Sequence, residues 1–387
     1  MNKRSMYMKK LIFSITICIL IVSMSSITPI AENANQDTEI KNIGYYTSWS
    51  AYSGFTPDKI DASKLTHINY AFANINNDLK VVLGNPDIDV KNINGLKELK
   101  KVNPNLKLLI SVGGWTWSDK FSDAALNDAS RAKFANGCVE FIKTYGFDGV
   151  DLDWEYPVSG GLKTNKYRKE DKQNFTLLLK AIRERFDEQG KKDGKKYILS
   201  IAGGAGSGYI QNVELNKLHE YIDFGNIMTY DIHGPWDKHT DFVAPLYIDE
   251  KSNNMKFSVD SAIKSWIKAG FPKEKIVVGI PFYGYEYNIG KSANNGLYEK
   301  HTKSSSISYV NIVSKYLNKN GYKLYYNAKS MVPWLYNGTS FITFEDGQSI
   351  GEKAKYIKSN GLGGAMIWEL GQDPKGELLD KLYQGLK

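Results

Sequence analysis

The stretch FDGVDLDWEYP, Phe147–Pro157, sets four carboxyls, Asp148, Asp151, Asp153 and Glu155, among Phe, Val, Leu, Trp and Tyr. Read as a strand, it alternates its side chains between two faces. Asp151, Asp153 and Glu155 fall on one face and Val150, Leu152 and Trp154 on the other. Successive acids then stand about 6.6 Å apart along the backbone. Carboxyls that close in poorly solvated surroundings cannot all ionise, so at least one retains a proton near neutral pH. A retained proton is what a general acid needs, and Glu155, outermost with the longest side chain, is the expected donor. Asp148 has the opposite parity and reads as a structural residue at the start of the strand. Two other readings compete. D-x-D-x-E resembles the opening of a calcium loop, but Leu152 and Trp154 are strand residues and the loop glycine is missing. A solvated edge strand would not carry apolar residues at 150, 152 and 154.

Such a row needs a scaffold that aims it. Eight apolar segments read as strands, opening at Asn42, Leu65, Leu106, Phe147, Lys196, Phe224, Lys275 and Leu362. Between them lie helical patterns such as NINGLKELKKVN, ASRAKFANGCVEFIKTYG, KQNFTLLLKAIRERFDEQG, FSVDSAIKSWIKAG and SIGEKAKYIKSNG, with GELLDKLYQGLK at the end; several stop at Gly, as helix C-termini do. Strand and helix alternating in this way predict an α/β fold, a closed (β/α)8 TIM barrel, with an open doubly wound sheet as the alternative. In a barrel the acidic row points into the bore and rises to the C-terminal rim, where such barrels keep their sites. One spacing breaks the rhythm: about 60 residues separate Tyr285 from Ser349, too many for a structureless loop. Residues 286–346 are expected to form a small α+β insertion subdomain between strand 7 and helix 7, within a barrel spanning 42–387.

Composition bounds the rest. With 387 residues, 42% hydrophobic and 24% charged, the chain can bury a sizeable core, and its 25 Tyr, 16 Phe and 8 Trp supply core volume or stacking surface. Lys3, Arg4, Lys9 and Lys10 precede an apolar run from Leu11 to Val22, the pattern of a secretory leader over 1–31 followed by a linker over 32–41; an uncleaved anchor is the alternative. Residues 1–31 hold four basic and no acidic side chains, so their removal takes the net charge from +8 to +4, too mild to imply nucleic acid. Cys18 would be lost with the leader. Cys138 is then left alone, in helical register with Phe134, Phe141, Ile142 and Tyr145, and reads as core. His67, His219, His233, His239 and His301 show no metal-ligand spacing, so no metal site and no cofactor are expected.

FDGVDLDWEYP also matches the DGxDxDxE signature of glycoside hydrolase family 18, the chitinase family. SVGGW from Ser111, MTYD from Met228, GIPFYG from Gly279 and GGAMIWEL from Gly363 resemble the family's motifs on strands 3, 6, 7 and 8. GYY and YAF fit the first two strands. The resemblance covers the chain from about Ile43 onward, insertion included. It implies hydrolysis of β-1,4-linked N-acetylglucosamine with retention, assisted by the substrate's own acetamide, for which the family is an exception to the two-carboxylate rule. On this reading Glu155 protonates the glycosidic oxygen, Asp153 hydrogen-bonds the acetamido N–H, and Asp151 beneath it holds the shared proton.

The resemblance further implies that Tyr230 bonds the acetamido oxygen, that Met228 packs beneath, and that Asp231 contacts the sugar in the −1 subsite, of which Trp368 forms the floor. Ser111 and Tyr45 would support Asp151, while Gly113 and Gly114 allow close backbone approach. Trp115 would stack a leaving-group sugar. Phe72 and Tyr283, with Tyr45, join the expected substrate contacts, and Trp117, Trp49 and Trp236 are further candidates for the cleft lining. Many members carry Arg where Tyr285 stands, so a sugar contact is lost or replaced by stacking. The insertion, through Trp334 or Tyr336, is expected to wall and deepen the cleft, which would favour processive or exo-type action. The expected partner is chitin or chitooligosaccharide, with no nucleic acid, no membrane once the leader is removed, and a monomeric secreted enzyme. An endo-β-N-acetylglucosaminidase or cell-wall hydrolase would use the same residues. A sugar-binding lectin would lack the acid that Glu155 supplies.

Overall fold

The computed structural model describes residues 40–252, 257–292 and 294–387. The expected leader and nearly all of the linker lie outside them. The described chain runs through β1 (Lys41–Thr47), three short 3-10 turns, β2 (His67–Ile75) and a short β3 (Val81–Leu83) folded back on β2. Then follow α1 (Pro86–Glu98), β4 (Lys107–Gly113), α2 (Phe121–Ala124), α3 (Asp128–Tyr145), β5 (Gly149–Asp153) and α4 (Asp171–Asp193). Next are β6 (Ile198–Gly204), the short helices α5 (Ser207–Asn212) and α6 (Leu215–Leu218), β7 (Phe224–Met228), α7 (Val259–Lys268) and β8 (Ile276–Pro281). A second group comprises β9 (Tyr283–Ile289), β10 (His301–Ser308), α8 (Tyr309–Lys315), β11 (Lys323–Asn327), β12 (Val332–Tyr336) and β13 (Ser340–Thr343). After it come α9 (Gly347–Asn360), β14 (Gly364–Trp368) and α10 (Glu377–Leu386).

Strands β1, β2, β4, β5, β6, β7, β8 and β14 pair in parallel in that order, and β14 pairs with β1 to close the barrel. All eight expected strands take part. Every residue of β5 is buried on both faces, the mark of a strand enclosed by helices outside and by neighbours within. The outward residues Val150, Leu152 and Trp154 join the core shared with the helices, while Ile43, Tyr45, Leu109, Phe224, Val277 and Met366 pack in the bore. Cys138 is fully buried in α3, and burial pushes its thiol well above the usual range.

Helix ends follow their local chemistry. A capping box of Asn127 and Ser130 opens α3, Asp346 and Ser349 open α9, and Gly146 and Gly361 close the two in the left-handed conformation. α1 starts at Pro86, six residues before the apolar pattern suggested, because a proline at the first turn is preset for a helix and loses no bond there. The layer after β1 consists of 3-10 turns, and after β6 two short helices replace a long one.

The second sheet is antiparallel, in the order β10-β9-β13-β12-β11, over a small core of Ile312, Tyr322, Leu335, Ile342 and Phe344. It takes in Tyr283 and Tyr285, which the sequence reading left with the seventh barrel strand. Alternation along β9 splits its side chains. Glu286 accepts hydrogen bonds from Tyr316, Tyr322 and Ser340 within the insertion, whereas Tyr283, Tyr285 and Tyr287 join the main core.

Candidate active site

The acidic row stands where the ends of β4 and β5 are tied together. The Gly114 N–H donates to the Asp153 carbonyl at 2.8 Å, and the Ser118 hydroxyl donates to the Gly114 carbonyl at 2.9 Å. Ser118 Oγ in turn accepts from the Glu155 N–H at 2.9 Å, and Asn165 Nδ2 donates to the Glu155 carbonyl at 2.8 Å. The backbone of Glu155 is thus held on both sides just beyond β5. Gly113 makes this possible: its φ is +100°, and a Cβ there would lie 2.5 Å from the Asp153 carbonyl oxygen and 2.4 Å from the Phe121 ring. Gly113→Ala is therefore expected to cost about 2 kcal/mol or more. The check is the melting temperature, which should fall by several degrees; an unchanged value would show that the strand end relaxes freely.

Asp151 is fully buried and well supplied with donors. Ser111 and Ser200 are its register neighbours on β4 and β6, and both hydroxyls reach it, at 2.8 Å to Oδ2 and 2.6 Å to Oδ1. Tyr45 Oη donates to Oδ2 at 2.6 Å and Asn226 Nδ2 to Oδ1 at 3.1 Å. Burial raises its acid above the ordinary carboxylate value, with these four bonds working against the shift. Asp153 is the opposite case. Its register neighbours are Gly113 and Ala202, which carry no donor, and its buried Oδ1 has no partner. Burial, then the charges of Glu155 and Asp151, push its acid well above the carboxylate range. Both acids are raised, Asp153 with no hydrogen bond to oppose the shift and Asp151 with four. Burial also raises Glu155 to about 7, with Tyr156 hydrogen-bonding against the shift and the charge of Asp231 adding to it. Asp148 serves the start of the strand, pairing with Lys100 at 2.6 Å and accepting from the Leu108 N–H at 2.8 Å.

Above the row opens a cavity of about 1150 Å³ at the C-terminal rim. Of the residues singled out in the sequence, Phe72, Gly113, Trp115, Asp153, Glu155, Met228, Tyr230, Asp231 and Trp368 line it, as do Trp49, Trp117 and Trp236. Trp49, Trp115 and Trp236 leave 46%, 50% and 62% of their surface open, an arrangement for stacking on a ligand rather than for filling a core. Trp368 packs against Phe72 at 5.8 Å and edge-on against Tyr45 at 5.5 Å.

Several expected contacts lie elsewhere. Tyr45 is buried beneath the cavity with its hydroxyl committed to Asp151, and Tyr283 is buried behind Asp231 with its hydroxyl committed there at 2.6 Å. Ser111 and Gly114, expected to support the site rather than to touch the sugar, sit behind the lining. Trp334 stacks on Tyr325 at 5.2 Å and donates to the Asn295 carbonyl, while Tyr336 bonds the Gly338 carbonyl. None of the described residues from 283 to 346 lines this cavity, although Tyr285 packs against Trp236, which does. Sequence reasoning missed Tyr156, Tyr209 and Asn212 in the lining, and Ser118, Asn165, Ser200 and Asn226 behind it. Ser200 and Asn226 did carry a signal, as polar residues at bore-facing positions of apolar strands. Tyr209 and Asn212 lie on a helix too short to show a period.

A parallel barrel with a proton-bearing carboxyl at the rim of one strand, beside a second buried carboxyl and under an aromatic cleft, is the frame of a glycoside-cleaving enzyme. The sequence profile described as Glycosyl hydrolases family 18 matches residues 41–373, and the chain belongs to that family. It is 42% identical to chitinase A1 of Niallia circulans, an alignment covering 100% of this chain and 64% of that protein. Among solved structures it resembles chitinase ChiA74 from Bacillus thuringiensis, with a TM-score of 0.86 and 37% identity over 90% of this chain and 70% of that one. It also resembles a family 18 N-acetylglucosaminidase from Paenibacillus barengoltzii, with a TM-score of 0.81 and 37% identity over 89% of this chain and 98% of that one.

Proposed function

We propose that the chain is an exported chitinase that hydrolyses β-1,4-linked N-acetylglucosamine polymers with retention, using the acetamido group of the sugar in the −1 subsite as nucleophile. The observation that carries the mechanism is the contrast between two neighbouring acids, Glu155 poised near neutrality at the rim and Asp153 buried with an unpartnered oxygen. A retaining enzyme that supplies its own nucleophile needs an ionised carboxylate facing the anomeric carbon. Asp153, holding a proton, is a poor one. Asp231 has one oxygen taken by two tyrosyl hydroxyls. The substrate's carbonyl oxygen is left to attack.

In this mechanism Glu155 gives its proton to the glycosidic oxygen as the acetamido oxygen closes on the anomeric carbon, forming an oxazolinium ion. Asp153 accepts a hydrogen bond from the acetamido N–H and passes its own proton toward Asp151 as positive charge develops on the ring. Asp151, anchored by four hydrogen-bonding neighbours, is the next carboxyl inward to receive it. Tyr230, beyond β7, orients the acetamido oxygen, and Trp368 carries the apolar face of the sugar. Glu155 then takes a proton from water, which opens the oxazolinium from the original face. Lys3, Arg4, Lys9 and Lys10 ahead of Leu11–Val22 support export, and the relatives named as chitinases support the substrate.

The test is one assay of chitooligosaccharides, a high-mannose glycoprotein and an aryl N-acetylglucosaminide side by side, with the anomer of the first product read by proton NMR. Chitooligosaccharide cleavage yielding the β-anomer first is the expected outcome. An α-anomer would remove the retaining mechanism. Cleavage of the glycoprotein alone, or of the aryl monosaccharide alone, would reassign the substrate.

A further inference from the structure

The inserted sheet reaches the centre of the site from behind. Tyr283 and Tyr285, on the same face of β9, both donate to one oxygen, Asp231 Oδ1, at 2.6 and 2.7 Å. Asp231 follows Tyr230 just beyond β7, lines the cavity, and holds a φ of +53°, a region that a side-chain-bearing residue seldom adopts without support. Both tyrosines are buried and neither lines the cavity. The rings of Tyr230, Tyr283, Tyr285 and Trp236 meet edge-on in series, at centroid distances of 6.2, 5.8 and 6.4 Å. One end of that series is in the catalytic pocket and the other is the most open tryptophan of the cleft.

We infer that Tyr285, with Tyr283, is a positioning residue: the insertion acts as a clamp that fixes one oxygen of Asp231 and leaves the other for the sugar in the cavity. This rests on reading the cavity as the sugar-cleaving site. Two hydroxyl donors on one carboxylate oxygen set its plane, which a single bond would not, and donation to a carboxylate is stronger than between neutral groups. The clamp also acts on charge. Burial raises the acid of Asp231 and the two tyrosyl bonds hold it down. The groups around it are Tyr283, Tyr285 and Tyr287 from β9, Tyr230 at the end of β7, and Glu155 and Tyr156 beyond β5. No cation figures among them, so the hydroxyls are the groups that favour its ionised form.

Tyr285→Phe keeps the ring and removes the donor. In the full chain it should lower kcat/KM on a fluorogenic chitooligoside about tenfold, as loss of one hydrogen bond to a charged group does. In an Asp231→Ala background the same change should alter kcat/KM less than about twofold, because a residue acting through Asp231 has nothing left to position. Carboxyl carbon NMR should show Asp231 titrating at higher pH in Tyr285→Phe than in the parent. A tenfold loss that persists in the Asp231→Ala background, or an Asp231 titration that does not move, would overturn the clamp. Tyr283→Phe provides the same readouts should Tyr285→Phe fold poorly. The titration needs no substrate, so a parent protein inactive on chitooligosides would end the proposed function while the clamp would still be judged by NMR.

Discussion

Glu155→Gln is expected to lower kcat on chitooligosaccharides by about 10³-fold while leaving oligosaccharide affinity nearly unchanged. The amide keeps the shape of the acid and its backbone ties to Ser118 and Asn165, but it has no proton to give, and a positioned general acid contributes about 10²–10⁴ in rate. Calorimetric titration against single-turnover rates separates the two effects; a variant that turns over at the parent rate would remove Glu155 from the mechanism. The parent should show an alkaline limb in kcat/KM near pH 7, where Glu155 of the free protein loses its proton. The same group predicts a pH-dependent gain in stability. Its folded pKa is raised above that of the unfolded chain, so the native state binds the proton more tightly, and stability falls as pH rises from the ordinary glutamate value to about 7. A neutral Gln escapes that penalty. The melting temperature of Glu155→Gln should therefore exceed that of the parent by more at pH 8 than at pH 5.

The sequence carried the barrel because each strand brought its own signal. Apolar residues at outward positions marked the wall, and Asp151, Asp153 and Glu155 stood out as one row because parity is a property of a single strand. The unlike surroundings of Asp151 and Asp153 were not legible there. They are set by other strands: Tyr45, Ser111, Ser200 and Asn226 converge on Asp151, whereas Gly113 and Ala202 flank Asp153. Register across four strands decides them. The insertion was legible as a spacing, but which of its faces would be covered was not. Trp334 looked like a cleft wall until Tyr325 was found stacked on it, and Tyr285, noted only as a departure from the family, emerged as a partner of Asp231. Ser118 and Asn165, which hold the backbone of Glu155, sit in loops where no period could single them out.

Asp153→Ala is expected to lower kcat by about 10²–10³-fold, the loss that follows removal of one electrostatic stabiliser of a developing charge. Asp153→Asn, which can still accept from the acetamido N–H but cannot become an anion, should keep part of the rate. The pair separates orientation from charge: a gap of about tenfold or more between Asn and the parent reports the charge that Asp153 develops as the ring becomes cationic. The pH profile then locates the resting proton. If Asp153 is neutral before reaction, the direction in which its burial and unpartnered oxygen push it, exchanging it for Asn changes no charge near Glu155, and the alkaline limb stays near pH 7. Were Asp153 ionised at rest, its charge would be holding the acid of Glu155 up, and its loss would move the limb toward acid by about a pH unit or more. Such a displacement would return the resting proton to Asp151, whose hydroxyl partners could then accept from it as well as donate. A stationary limb with a large loss of rate is the result that assigns Asp153 the proton before the reaction and the charge during it.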